Sequence, residues 1–325
     1  MTIDQDRNFL LAGVGGVLVL SSVIAGGIHL GLRHRHSSTV ANLTARIKAW
    51  WVMAALLTAA FLAGNNFVIL LFALVSFASL REFMTVARPR RADRVAMLTA
   101  FFFVLPVQFY LVSRGSYALF LIFVPLCAFL ALPILAVLRS DSTHFLARVA
   151  VIQWGLMISV YCVSYIPALL TLTLPGTDGS AAVVAGQGQR AEGPLLAVFL
   201  LIISQASDVM QYVFGKLFGR HKISPVISPA KTIEGFAGGL ACAAILGALL
   251  SRITPFGPWQ AAAMALVIAL TGFLGGLVMS AIKRDRGIKD WGNLIAGHGG
   301  MLDRVDSVSF AAPLFFHLAR YCLNQ

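Results

Sequence analysis

Long apolar runs alternate with short polar ones along the chain, and the runs are too long to be buried strands. Apolar windows predict helices over about residues 9–32, 50–64, 65–80, 96–113, 116–138, 148–172, 194–215, 236–253, 259–282 and 307–322. Most of these approach the roughly 20 residues that cross a bilayer's hydrocarbon core. The second and third meet at Gly64-Asn65-Asn66, a tight helical hairpin. Pro106, Pro125, Pro133 and Pro167 fall inside predicted spans and imply kinks, because neighbouring helices can re-satisfy the freed backbone groups. The predicted fold class is all-α: a polytopic integral membrane helix bundle of about ten transmembrane helices, nine at the fewest.

Composition agrees with this pattern. Of 325 residues, 58% are hydrophobic and 12% charged, with a mean hydropathy of +0.84. A soluble domain carries about 25% charged residues, so a water-exposed globule is excluded. No interval between spans is long enough for a soluble domain of about 50 residues. Polar chemistry must therefore sit in loops and helix ends.

Twenty-five basic residues against 13 acidic ones give a net charge of +12. Membrane insertion explains most of that excess, because cytoplasmic loops collect Lys and Arg. Asp4, Asp6 and Arg7 precede the first apolar run, and Arg33 and Arg35 follow it, the reverse of a signal peptide's charge order. With the N-terminus outside, residues 33–49, 81–95, 139–147, 216–235 and 283–306 become cytoplasmic. Those loops and their edges hold 20 of the 25 bases, leaving Arg7, Arg114, Arg190, Arg252 and Arg320 outside. Residues 173–193, rich in Gly, Ala and Ser, read as a flexible outside connector. The four cysteines are widely spaced and form no Cys-x-x-Cys pair, so they read as small core residues.

The 13 acids can be sorted one by one. Asp4, Asp6, Asp93, Asp141, Asp178 and Glu192 lie in termini or loops and read as solvated. Glu82 follows a predicted helix end and reads most plainly as an interfacial charge beside Arg81. The remaining six, Asp208, Glu234, Asp285, Asp290, Asp303 and Asp306, fall in two C-terminal regions on the predicted cytoplasmic side. Asp208 continues an apolar helix, where an ionised carboxylate costs at least ~2.5 kcal/mol, so it should face a cavity, a cation or a partner. Lys216 or Arg220 could serve as that partner.

The loop after Asp208 ends in Ser228-Pro229-Ala230-Lys231-Thr232-Ile233-Glu234-Gly235. Ser228 and Pro229 fit a helix start, a side-chain cap followed by proline in the first turn. Such an N-terminus directs free N–H groups outward and suits phosphate. The densest region, Ser280 to Asp306, packs four acids, five bases and His298 into 27 residues between two apolar helices. Orientation needs only the bases. Carboxylates mixed with Lys and Arg suit magnesium-dependent phosphoryl transfer, the acids holding hard cations and the bases neutralising phosphate oxygens. Asp303 and Asp306 are three apart and share a helix face, so they could hold one cation or pair with neighbouring bases. Gly299-Gly300 permits close backbone approach to a ligand.

The run from Ser280 to Asp306 resembles the signature of the CDP-diacylglycerol synthases, also called phosphatidate cytidylyltransferases. That pattern is Ser-x-apolar-Lys-Arg, four residues, Lys-Asp, then His-Gly-Gly-apolar-x-Asp-Arg-apolar-Asp, matched here by Ser280, Lys283, Arg284, Lys289, Asp290, His298, Gly299, Gly300, Asp303, Arg304 and Asp306. Asp208, Tyr212, Gly215-Lys216 and the Ser228 to Gly235 run resemble the family's preceding motifs, so residues 200–307 match well. The N-terminal half matches mainly as a set of spans plus Glu82-Phe83. Two positions depart: Ala296 stands where the family usually has proline, and Gln211 where a small residue is usual.

The resemblance implies that CTP and phosphatidate react at the cytoplasmic face of the cell's inner membrane to give CDP-diacylglycerol and pyrophosphate. It implies a division into residues 1–193, a lipid-facing scaffold with dimer contacts, and residues 194–325, the catalytic region. Asp208, Asp290, Asp303 and Asp306 would bind magnesium, as one or two divalent cations or a divalent with a monovalent one. Lys231, Lys283, Arg284, Lys289 and Arg304 would hold phosphates, with Ser228 and Thr232 contacting phosphate at the helix start. Asp290, Lys289, Asp303 and His298 would stand nearest the reaction. The implied partners are CTP, phosphatidate in the bilayer and a second copy in a homodimer, with no nucleic acid. A CDP-archaeol synthase-like or polyprenol kinase-like enzyme, a transporter built around Asp208, and a catalytically silent membrane scaffold are the rival readings.

Overall fold

The computed structural model describes residues 38–87, 90–138, 142–172, 192–294 and 299–323, without the side chains of 38–50, 91 and 192. The first predicted span, most of the 173–193 connector, Ala296 and His298 lie outside the described residues.

Nine helices are present among the described residues. Helix α1 is Ser38–Ala63 and α2 is Asn65–Ala87. Helices α3, α4 and α5 run Arg94–Ser113, Tyr117–Val137 and Phe145–Thr171. Then come α6 (Glu192–Leu217), α7 (Ile233–Leu249), α8 (Pro258–Asp285) and α9 (Leu302–Leu323). Between α6 and α7 lies a two-stranded antiparallel hairpin, β1 (Lys222–Ser224) and β2 (Ser228–Thr232). Among the described residues the protein is thus a helical bundle that departs from all-α only in this hairpin.

Seven helices, α2 to α8, are long and apolar enough to cross a membrane, while α1 offers only the shorter apolar stretch Trp51–Ala63. Ten crossings are therefore not reproduced among the described residues. Helix α9, the last predicted span, is not among the seven; it carries Asp303, Arg304 and Asp306 in its opening turns.

The predicted hairpin between the second and third spans turns on Gly64 alone, at φ 111°, a conformation that Asn65 and Asn66 need not share. The helices that contain these prolines depart from regular α-geometry. Each of α3, α4 and α5 contains a π-helical turn, at Ala100–Val104, Phe123–Ala128 and Met157–Cys162. A proline cannot donate to the residue four before it, and a widened turn absorbs the lost bond.

A single apolar cluster joins the two halves of the chain, from Val68 and Phe72 of α2 through Ile166 of α5 to Phe199 of α6 and Phe315 of α9. Helix α9 is the element shared by both halves: His317 Nε2 lies 3.2 Å from the Tyr165 hydroxyl, which donates to Tyr161 at 2.7 Å.

Two expectations fail here. Asp93 is not a solvated loop acid: it is fully buried, and its carboxylate accepts from Arg148 Nε at 3.0 Å and from the Arg90 N–H at 3.0 Å. Ser228-Pro229 does not begin a helix. Ser228 pairs with Ser224, and Pro229 sits in a strand whose only partner is β1, which tolerates a residue without an N–H. The helix start moves to Ile233, and the cap is Thr232, whose hydroxyl accepts from the Gly235 N–H at 3.1 Å.

Candidate active site

The C-terminal ends of α2, α6 and α8, the start of α9 and the β-hairpin meet at one end of the bundle. This is the end to which the basic loops were assigned. Glu82, Lys283 and Asp303 come there at helix ends, whereas Asp208 lies nine residues before the end of α6.

Asp208, half-buried on α6, lies within hydrogen-bonding reach of Ser307 and within electrostatic reach of Asp306, Lys231 and Arg304. Asp306 accepts from the Ser307 N–H at 2.8 Å and is also within electrostatic reach of Lys283 and Asp303. Lys231, from β2, lies across α8: its Nζ donates to the Phe273 carbonyl at 3.2 Å and sits 4.5 Å from the Phe273 ring centroid. Gly276 makes room for it, since a Cβ there would stand 2.9 Å from Nζ. Burial lowers the pKa of Lys231, and the charges of Asp208 and Asp306 work against that shift.

Asp303 anchors the loop before α9. One carboxylate oxygen accepts from Lys283 Nζ at 2.8 Å; the other accepts from the Trp291 N–H at 2.8 Å and the Gly300 N–H at 3.0 Å. The pair is largely desolvated, with 13% of the Lys283 and 6% of the Asp303 side chain exposed, so each charge depends on the other. Gly299, at φ 79°, takes the left-handed turn that brings the loop back onto Asp303.

Other predicted residues stand farther out. Arg284 donates to the Ile227 and Ile288 carbonyls, at 3.3 and 3.1 Å, and so ties the hairpin to the end of α8. Lys289 and Asp290 are exposed, with the Asp290 side chain beside Gly299. Ser228 is half-buried in β2, and the Thr232 hydroxyl is engaged as the α7 cap. Ser280 donates within its own helix, to Gly276 at 2.6 Å. Glu234 pairs with His221 at 2.6 Å, away from the carboxylate pair, and exposed Asp285 lies 3.5 Å from Arg286. Among the described residues, no group of three or more His, Cys, Asp or Glu is gathered tightly enough to hold a metal on its own.

Glu82 is the residue whose role the sequence hid. Its two carboxylate oxygens accept from the Met301 and Leu302 N–H groups, both at 2.8 Å, and so cap α9 from 219 and 220 residues away in sequence. Gly292 and Gly300 pack against that carboxylate, where a side chain on either would collide with it. Its neighbour Phe83 stacks on Trp291, ring centroids 5.3 Å apart at 22°. Together they fasten both ends of the loop that carries Asp290 and Gly299. A carboxylate beside a helix end and next to an aromatic was the only local signal; its partner is remote.

Three carboxylates, Asp208, Asp303 and Asp306, thus meet three cations, Lys231, Lys283 and Arg304, with no formal excess. Half-buried and close to neutral, the arrangement can accept a polyanion if a divalent cation enters with it. Asp208 and Asp306 fit magnesium by donor type: two neighbouring carboxylates supply hard oxygens and leave positions for water and phosphate, the usual composition of such a site.

The sequence profile of the cytidylyltransferase family matches residues 44–322. A protein of Escherichia coli (strain K12), YnbB, described only as uncharacterized, is 36% identical over 313 residues, covering 96% of this chain and 98% of that protein. Phosphatidate cytidylyltransferases of Staphylococcus saprophyticus and Staphylococcus aureus (strain COL) are 42% and 44% identical over 127 residues. Those alignments cover 38% of this chain and 49% of each staphylococcal protein, so the likeness spans about half the length of those relatives.

Proposed function

The chain belongs to the cytidylyltransferase family, and on that premise we propose that it is a phosphatidate cytidylyltransferase of the inner membrane, working at the cytoplasmic face. The observation that carries the proposal is the meeting of Asp208, Asp306 and Lys231 with the Lys283–Asp303 pair at one end of an apolar bundle. A small charged site on membrane-crossing helices suits a substrate whose tails stay in the bilayer while its phosphate reaches the loops. The partial likeness to phosphatidate cytidylyltransferases supports the choice of lipid.

In the proposed reaction a phosphatidate oxygen attacks the α-phosphorus of CTP, a new P–O bond forms, and the bond to pyrophosphate breaks in line. The attacking oxygen is already anionic, so no general base is required. The protein's work is positioning and charge compensation. Lys231, Lys283 and Arg304 would neutralise phosphate oxygens, and Lys289 at the rim would meet the nucleotide as it enters. Asp208 and Asp306 would hold magnesium, with Asp290 reaching in from the rim. Magnesium bound there supplies neutralisation of charge on the triphosphate and the departing pyrophosphate. Asp303 keeps Lys283 and the Gly299-Gly300 turn in place.

The test is to incubate the detergent-purified protein with magnesium, phosphatidate and each ribonucleoside triphosphate, then identify both products. CDP-diacylglycerol with pyrophosphate is expected from CTP alone. Release of CDP with a newly phosphorylated lipid would replace the proposal with a kinase, and vesicle flux without lipid product would replace it with a transporter.

A further inference from the structure

Two lysines of the charged site are held in different ways. Lys283 is ion-paired directly with Asp303 at 2.8 Å. Among the described residues, Lys231 forms no such pair. Its Nζ donates instead to the Phe273 carbonyl at 3.2 Å and stands over the Phe273 ring, 4.5 Å from the centroid. Both acceptors are neutral, so neither fixes the ammonium as the opposite charge of Asp303 fixes Lys283.

Lys231 nevertheless borders the acidic pair. A Cβ on Gly276 would stand 2.9 Å from its Nζ and 3.6 Å from the Ser307 hydroxyl oxygen. That hydroxyl lies 3.4 Å from an Asp306 carboxylate oxygen and within hydrogen-bonding reach of Asp208. The ammonium and the two carboxylates therefore meet around one bare glycine, with no direct ion pair between them. Asp208 and Asp306 have a compensating charge nearby, and their oxygens carry no bond from it. An ammonium on a flexible stem can leave such a seat without breaking an ion pair.

We propose that Lys231 is a tethered counter-cation of Asp208 and Asp306, one that yields its place to magnesium and turns its ammonium to the phosphates of the nucleotide. The inference rests on the metal and phosphate roles assigned above, and it adds an order to them. An ammonium kept in its seat would repel a divalent ion arriving at the same carboxylates. Lys283 cannot make the same exchange, because Asp303 holds it. Neutralisation of the carboxylates and the grip on phosphate thereby become linked events, and the site does not carry both cations in one place.

Lys231→Met keeps an unbranched stem against Phe273 and removes the charge. Manganese, as a probe for magnesium, is titrated into the detergent-purified protein without nucleotide, and the free ion is counted by electron paramagnetic resonance. The variant is expected to bind manganese about tenfold more tightly, because the repulsion between a unit charge and a divalent ion in a half-buried site is gone. Its KM for CTP in CDP-lipid formation should rise about tenfold, the effect of losing one charge-assisted hydrogen bond to phosphate. These effects have opposite signs, whereas a lysine that only supports the fold would weaken metal and nucleotide alike. Tightening of less than about threefold, or any weakening, overturns the exchange, and an unchanged KM for CTP overturns the turn toward phosphate. Lys231→Gln serves where Lys231→Met fails to accumulate.

Movement of the ammonium is read in the wild-type protein. Acylation of Lys231 by a succinimidyl ester, followed by mass spectrometry, should be faster with magnesium alone and slow again once CTP is added. Lys283 should stay slow in both. Unchanged labelling of Lys231 would show that it keeps its seat and would sink the proposal. Failure of the parent reading is distinguishable. If the wild type makes no CDP-lipid while Lys231→Met still tightens manganese, the reaction falls and the counter-cation stands. CDP-lipid formation by the wild type, with manganese binding unaltered in the variant, removes the exchange alone.

Discussion

Removing the Glu82 carboxylate should loosen the start of α9, although six helices separate the two in the chain. The first N–H groups of a helix have no acceptor within it. Here two of them, on Met301 and Leu302, are satisfied by one carboxylate at 2.8 Å each. Hydrogen bonds to a charged group contribute about 1.5–3 kcal/mol apiece, so Glu82→Ala removes at most roughly 3–6 kcal/mol. Water entering the space left by the side chain recovers part of this. A net loss of about 3 kcal/mol is therefore expected, and it corresponds to roughly a hundredfold shift in the local opening equilibrium.

Hydrogen exchange reads that equilibrium directly in the amides that Glu82 protects. In Glu82→Ala, exchange of a peptide spanning residues 299–306 should accelerate about a hundredfold while the middle of α8 is unchanged. Glu82→Gln should fall between, because its amide oxygen can still accept one N–H while its NH₂ faces the other. CDP-lipid formation should decline in the same order, since Asp303 and Asp306 ride on the first turns of α9. Exchange within about threefold of wild type in Glu82→Ala would refute the reasoning, and Glu82 would revert to an interfacial charge.

The carboxylates should separate by their magnesium dependence. Asp306→Asn and Asp208→Asn should raise the magnesium concentration needed for half-maximal turnover at least about tenfold, because two carboxylates with substrate phosphates make up such a site. Asp303→Asn should lower turnover with that concentration little changed, and the opposite pattern would move the cation to Asp303. Thr232→Val should cost about 1 kcal/mol through loss of the α7 cap, whereas Thr232→Ser should retain most of it. Equal thermal unfolding of the two variants in detergent would show that the cap contributes nothing.

What the sequence made legible and what it hid divide along the range of the interactions involved. Helices α2 to α8 were readable because hydrophobic length is a property of one segment, and α9 was readable for the same reason despite the charges in its opening turns. Asp208 and Asp306 stood out because a carboxylate on an apolar helix needs a compensating charge close by, and Lys231 lies within electrostatic reach of both. Ser228-Pro229 misled because the local rule is ambiguous. A serine before proline caps a helix or opens an edge strand equally well, and the choice was made by Ser224 pairing across the turn. Asp93 and Glu82 were misread because their partners, Arg148 and the start of α9, are 55 and about 220 residues away. Nothing in their immediate neighbours separates a solvated acid from one that holds two elements together. The glycines at 292 and 300 carried part of that missing information, since the space they leave is occupied by the Glu82 carboxylate. A pair of glycines flanking a charged loop is thus a sign that something from elsewhere in the chain comes close. Here that visitor is the side chain on which the geometry of the site depends.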